Sequence, residues 1–265
     1  MSTFIFDLDG TIYLEDDPIS GARETLAALR ADGHHVLFAS NNTALTHAAY
    51  ERKLAALDIM VEPQGLATAS RSTVAHLQTL TPVRTLLVLG PPALSEELEE
   101  AGFTVRPDTA HPIDAVVVGH DDTFSYERLR LAHAAVVAGA RLIATDGDRH
   151  VPRHAGLLPG TASITAAIET ACGLSATVIG KPAGGMIRTL MATVGAEAAT
   201  TVVVGDSIAT DIAGATALGL YSVYVLSGIA QFQPEALTPP PALMLPSVAA
   251  LIPALRRARP DLVTA

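Results

Sequence analysis

Three short runs in this chain, Phe4-Ile5-Phe6, Val36-Leu37-Phe38 and Val202-Val203-Val204, are apolar at every position. A strand apolar on both faces must be covered on both, which is the condition of a parallel sheet held between layers of helix. Segments of helical period follow. Ala22, Leu26 and Leu29 share one face of a segment that Ser20 is placed to cap and Gly33 to end, and further helices are read over 46–57 and up to Leu80. A brief strand at Leu66-Ala67-Thr68 separates those two. Strand-helix alternation of this kind predicts an α/β fold built on a doubly wound parallel sheet.

The alternation stops at Thr81-Pro82-Val83, which reads as a linker, and then restarts. Strands are expected over 85–89, 115–118 and 141–145, with helices over 93–101, 126–137 and 161–171. The chain then returns to the first sheet with helices near 186–194 and 211–218 and strands over 201–205 and 222–226. Its tail carries Pro239-Pro240-Pro241 and Pro246 before a last helix near 248–257. The expected boundaries are a core of residues 1–80 and 179–265 and an inserted α/β unit of residues 81–178.

The chemistry-bearing residues gather where strands end. Phe4-Ile5-Phe6 runs straight into Asp7-Leu8-Asp9-Gly10-Thr11. Side chains two apart on a strand share a side, so Asp7 and Asp9 project together from the carboxyl end, where open α/β sheets place their sites. Two like charges held so close are costly unless a cation or a proton intervenes. Ser40-Asn41-Asn42-Thr43 follows the second apolar strand. Gly180-Lys181-Pro182 comes after the insert, and Gly205-Asp206-Ser207 with Asp211 follows the third strand.

In order and in strand context these four segments resemble the motifs of the haloacid-dehalogenase-like superfamily, in its phosphatase branch. The resemblance implies a Rossmann-like core in which Asp7 is the nucleophile that forms an aspartyl-phosphate and Asp9 the general acid and base. It implies that Ser40, Asn41 and Lys181 hold the phosphoryl group, and that Asp7, Asp206 and the backbone carbonyl of Asp9 bind Mg2+ with Asp211 supporting from behind. An all-oxygen donor set suits that ion. The long α/β insert between the second and third motifs, and Leu226-Ser227-Gly228 after the last core strand, resemble the type IIA, NagD-like subfamily. There the insert is a cap that sets substrate choice and pairs subunits. Asp146, Asp148 and Arg149, just past a strand end in the insert, are the expected specificity residues; Arg153 and His154 follow them. Relatives often carry Asn-Pro-Asp where this chain has Asp146-Gly147-Asp148, so no relative's substrate transfers directly.

Composition narrows the remaining choices. With 49% hydrophobic and 17% charged residues the chain is globular. Its net charge of −10 argues against a nucleic-acid partner. No apolar run approaches the roughly 20 residues a membrane helix needs, and one cysteine excludes an internal disulfide. A cytoplasmic enzyme with no export signal is the expectation. His34, His35, His76, His111, His120 and His133 lack metal-ligand spacing and are read as structural. The expected activity is hydrolysis of a small phosphate monoester, with nucleotides, sugar phosphates, glycerol phosphates and phosphoglycolate all fitting. Rival readings are a phosphotransferase or mutase, a dehalogenase, a receiver-like module phosphorylated on aspartate, and a protein of this fold that only binds.

Overall fold

Each residue of the first strand, β1 (Thr3–Phe6), is buried, and the two faces of that strand look into different cores. A computed structural model describes residues 1–232 and 236–263. After β1 come a short hairpin, β2 (Tyr13–Leu14) and β3 (Asp17–Pro18), then α1 (Ala22–Ala31), β4 (His35–Ser40), α2 (His47–Ala56), β5 (Leu66–Thr68) and α3 (Ala69–Thr79). The inserted segment begins with β6 (Thr85–Leu89), α4 (Pro92–Glu100), β7 (Thr104–Arg106), β8 (Ala115–Val118), α5 (Tyr126–Val137) and β9 (Arg141–Ala144). It continues through a hairpin, β10 (His150–Arg153) and β11 (Gly156–Pro159), to α6 (Thr161–Cys172) and β12 (Thr177–Val178). The chain closes with α7 (Gly185–Val194), β13 (Thr201–Gly205), α8 (Ala213–Ala217), β14 (Tyr221–Val225), β15 (Leu243–Leu245) and α9 (Leu251–Ala258).

Two parallel sheets result. The first has the order β15-β14-β13-β1-β4-β5, the second β12-β9-β8-β6-β7. Pleating sends Phe4, Phe6, Val36, Phe38, Val202 and Val204 to one face of the first sheet, against Leu26 and Leu29 of α1. Ile5, Leu37 and Val203 point the other way, onto Ile187 and Leu190 of α7. The all-apolar strands are thus covered on both sides, as their composition requires. Among the described residues no helix is long and apolar enough to cross a membrane.

Several local expectations need correction. Ser20 does not cap α1: the N-cap is Gly21, with no side-chain cap, and Ser20 is exposed. The strands β7, β12 and β15 and the hairpin β10–β11 were not anticipated. They are two to four residues long and β10 contains a proline; β15 is apolar throughout but follows the proline-rich tail segment, which hid it. The helix expected near 211–218 starts earlier, in a wide turn over Ile208–Ile212 in which the Ile212 N–H donates to the Ser207 carbonyl at 3.1 Å. Such wide turns recur at functional sites.

Phe38 is fully buried beside Phe6 in the larger core cluster. Phe38→Ala is expected to lower stability by about 3–5 kcal/mol, read as a lower urea midpoint with unchanged slope. A loss under about 1 kcal/mol would mean that this cluster does not hold the sheet.

Candidate active site

In the first sheet the chain moves from β1 outward through β4 and β5, and from β13 outward through β14 and β15 in the opposite direction. The order therefore reverses between β1 and β13, and a crevice opens beyond the carboxyl ends of these two strands. Asp7 lies one residue past β1 and Asp206 one residue past β13. Their strands are in register, with Phe6 opposite Val204. Ser40 is the last residue of β4, the neighbour on the other side. Asp7, Ser40, Asp206 and Asp211 are all buried.

Lys181 joins these groups. Its Nζ donates to Asp7 Oδ1 at 2.5 Å and to Asp211 Oδ1 at 2.8 Å, and the residue is only 2% exposed. Asn41 fixes its backbone from both sides: Asn41 Nδ2 donates to the Lys181 carbonyl at 3.0 Å, and the Lys181 N–H donates to Asn41 Oδ1 at 2.8 Å. The side chain of Asn41 is thereby committed to the lysine. Asn42, which sequence reasoning passed over, donates from Nδ2 to both oxygens of Asp9 at 3.4 and 3.3 Å.

Asp206 is gripped from the side of β14. Its Oδ2 accepts the Ile229 N–H at 2.9 Å, and Ser227 donates its hydroxyl to the Gly10 carbonyl at 2.8 Å. A Cβ added to Gly228 would lie 1.7 Å from Asp206 Oδ2, so only glycine lets the backbone approach the carboxylate. Gly205 plays the same part for Asp211, whose carboxyl carbon would be 2.2 Å from an added Cβ. The other oxygen of Asp211 accepts the Ser207 N–H at 3.2 Å.

The inserted segment supplies the facing wall of a cleft that the strand ends of the first sheet line from the other side. Of the three specificity residues expected there, the structure brings two to the cleft. Asp146 lines it, yet its oxygens already accept from the Thr145 and Thr161 hydroxyls at 2.8 and 3.0 Å and from the Asp148 N–H at 3.1 Å, so it holds its own loop together. Asp148 lines the cleft at the lysine end. Arg149 is exposed and outside the lining. In its place stand His150 and Arg153 of β10, and His120 just after β8. His120, expected to be structural, lines the cleft two residues past the apolar run Val116-Val117-Val118.

This chain resembles known proteins along most of its length. A family model for haloacid dehalogenase-like hydrolases matches residues 4–104, and a second, for HAD-hydrolase-like proteins, matches residues 178–251. The acid sugar phosphatase of Staphylococcus aureus is 30% identical over 230 residues, 87% of this chain and 88% of that protein. The chain belongs to the haloacid dehalogenase-like hydrolases. The p-nitrophenyl phosphatase from Archaeoglobus fulgidus superposes with a TM-score of 0.82 at 28% identity, covering 96% of this chain and 99% of that one. A glycerol phosphate phosphatase from Mycobacterium tuberculosis, solved in complex with magnesium, gives 0.75 at 33% identity, covering 86% of this chain and 68% of that one. These relatives place the hydrolase in the phosphatase branch, and its insert between the second and third motifs is NagD-like.

The charge balance of the hydrolase explains what the cleft would accept. Asp7, Asp206 and Asp211 each offer a carboxylate oxygen within 4.8 Å of the others'. Against three acids stands the single Lys181. Burial pulls the ammonium down, but Asp211, Asp7 and Asp148 together raise it further, so it stays charged. One cation cannot serve all three acids. Burial therefore raises Asp7 to about 7 despite Lys181, and raises Asp206 well above the carboxylate range with help from Asp7 and Asp211. Burial also raises Asp9, opposed by Lys53 and by the Asn42 hydrogen bond. With all three acids ionised, three minus charges against one plus would leave two in deficit, the charge of one divalent cation. An oxygen-only cluster of this kind fits a hard ion such as Mg2+.

The pH dependence of stability follows from Asp7. Its folded pKa of about 7 lies above the ordinary 3.8. Between those values the folded chain keeps a proton that the unfolded chain has released, so stability falls as pH rises across the window. Lys181, with a raised pKa, contributes at full strength throughout it. Without divalent cations, the melting temperature by circular dichroism should fall from about pH 5 to about pH 7.5. Added Mg2+ should raise it more at the upper end. A melting temperature that climbs over this range without metal would overturn the account.

Proposed function

We propose that this hydrolase removes phosphate from small phosphate monoesters through a covalent aspartyl-phosphate on Asp7. The observation that carries the reading is the convergence on one buried strand end of Asp7, its ion partner Lys181 and the second acid Asp9. A phosphate dianion repels nucleophiles, so attack needs cations around the phosphoryl oxygens and an attacker in line. The Asp7 carboxylate bonds to phosphorus as the ester P–O bond breaks, and Asp9 passes its proton to the departing alkoxide. Water then attacks the phosphorus, Asp9 takes its proton, and Asp7 is released with inorganic phosphate. The raised pKa of Asp9 supports its holding a proton for the first half of the cycle.

The remaining residues hold and orient. The Ser40 hydroxyl and the Asn41 backbone N–H receive phosphoryl oxygens, since the Asn41 side chain is committed elsewhere. Lys181 keeps Asp7 in place and offsets the incoming charge. Asp7, Asp206 and the Asp9 carbonyl would hold Mg2+, with Asp211 steadying both Lys181 and the metal cluster. When bound, the ion supplies positive charge against the phosphoryl oxygens and against the mutual repulsion of the acids. In this reading residues 1–80 and 179–265 are the catalytic unit and 81–178 the cap, in which Asp146, Asp148 and the neighbouring Arg149 belong to the substrate-facing loop. A cytoplasmic location and pairing of two chains through the cap complete the proposal.

Hydrolysis of para-nitrophenyl phosphate is the direct test. EDTA should abolish it and Mg2+ restore it. Asp7→Asn should eliminate turnover, whereas Asp9→Asn should slow it by about 10²–10⁴-fold. Near-normal rates from Asp7→Asn would mean that water attacks phosphorus directly, without a covalent step.

A further inference from the structure

The two walls of the cleft differ in the charged groups they present. The wall built from the first sheet holds Asp7, Asp9, Asp206 and Asp211, with Lys181 fully engaged among them. On the opposing wall the charges follow a gradient. Asp148 sits at the lysine end: after burial and Asp146, the groups acting on it are Lys181, Asp211 and Asp7. Asp146 is closed off by its three hydrogen bonds. What remains on that wall is one cation, Arg153, with two imidazoles, His150 of β10 and His120. Both ring nitrogens of His120 are buried without a hydrogen-bond partner, and Nε2 lies 2.8 Å from Asp122 Oδ1 without hydrogen-bond geometry.

Arg153 is the decisive residue. Among the described residues its guanidinium makes one hydrogen bond, from Nη1 to the neighbouring Pro152 carbonyl at 3.2 Å, and no ion pair. Its charge acts on Asp9 across the cleft, yet the two form no salt bridge, and Asp9 is held instead by Asn42. In a chain with ten more acids than bases, an arginine that lines an acid-rich cleft and has no carboxylate of its own is a site with a vacant partner. A guanidinium offers a rigid fork of donors that matches a carboxylate or a phosphate in two parallel hydrogen bonds. Asp9 protonates the oxygen of the leaving group, so a cation close to Asp9 faces the leaving group and not the far side of the phosphoryl.

We propose that Arg153 recognises a second anionic group, borne by the alcohol that leaves, so that the substrate is a compact phosphate monoester carrying a carboxylate or a second phosphate. This deepens the phosphatase reading and rests on it. The cleft is shared by Asp9, Ser40, His150 and Arg153, so a group borne by the leaving alcohol has to be compact to reach Arg153 once the phosphoryl is seated. Hydroxyls on the same leaving group would find His150 and His120.

Matched substrates test this. Phosphoglycolate is compared with hydroxyethyl phosphate, phosphoglycerate with glycerol phosphate, and propanediol bisphosphate with propanediol monophosphate. The wild-type enzyme should prefer the doubly anionic member of at least one pair by about 10-fold or more in kcat/KM. The first two pairs against the third tell a carboxylate from a second phosphate. Arg153→Gln should shrink that preference by roughly 10- to 100-fold, chiefly through KM, and Arg153→Lys should recover part of it. Equal losses on both members of each pair, or no preference in the wild type, would overturn the inference while leaving the phosphatase reading intact. No hydrolysis of any phosphate ester, para-nitrophenyl phosphate included, would remove both. If circular dichroism shows that the Arg153 variants do not fold, competition on the wild type decides. Glycolate or glycerate should inhibit para-nitrophenyl phosphate turnover where ethylene glycol and glycerol do not, and equal inhibition counts against the proposal.

Discussion

A single buried ammonium faces more carboxylates than it can neutralise, and much of the molecule is arranged around that imbalance. Lys181 is bonded to Asp7 and Asp211 and stays charged because those acids outweigh the penalty of its burial. Asp206 has no ion pair among the described residues and accepts the Ile229 N–H. Burying charge without a partner is costly, so such a site persists only if its ordinary occupants complete it. A divalent ion and a phosphate dianion bring opposite charges, and the cluster is short of the first by an amount that would then attract the second. The stored electrostatic demand is therefore the same feature as the proposed catalytic competence.

Holding four acids that close requires a scaffold that cannot give way. Three adjacent parallel strands in fixed register deliver Asp7, Ser40 and Asp206 to one edge, and the register follows from side chains packed on both faces of the sheet. Close approach is then a matter of omitted atoms. Gly228 and Gly205 let the backbone come against Asp206 and Asp211 where any Cβ would collide. The wide turn over Ile208–Ile212 has a related effect, placing Asp211 back beneath the lysine instead of outward on a regular helix. Rigidity here comes from the core, and reactivity from what the core forces together.

How legible this was from the sequence varied with the kind of interaction. The all-apolar strands and the acids that follow them announced the first sheet, the strand-end site and the second α/β unit, because burial on both faces leaves a mark in composition. The Asn41 grip on Lys181 left no such mark: it links residues 140 positions apart, and a surface asparagine looks the same in a sequence. Ser20 looked like a helix cap because its residue type is right, but the chain turned one residue later through Gly21 in a left-handed conformation. The hairpin β10–β11 was invisible because a four-residue strand containing a proline has neither alternation nor propensity in its favour. That hairpin carries Arg153 to the cleft and leaves the side chain of Arg149 exposed, so a small local element decides which arginine lines the cleft.

The same contrast explains why the two walls of the cleft can serve different ends. Groups on the sheet side address the phosphoryl, which all phosphate esters share, and any change there alters a balance of several mutually dependent charges. Arg153, by comparison, hangs from a two-stranded hairpin with one backbone hydrogen bond and no ion pair among the described residues. Replacing it disturbs little of the fold and none of the buried cluster. A leaving group can thus be accepted or refused by a few residues on a weakly constrained element, while the chemistry stays with residues that the core does not permit to move. The proposed recognition would sit on a short hairpin, an element whose sequence pattern is weak.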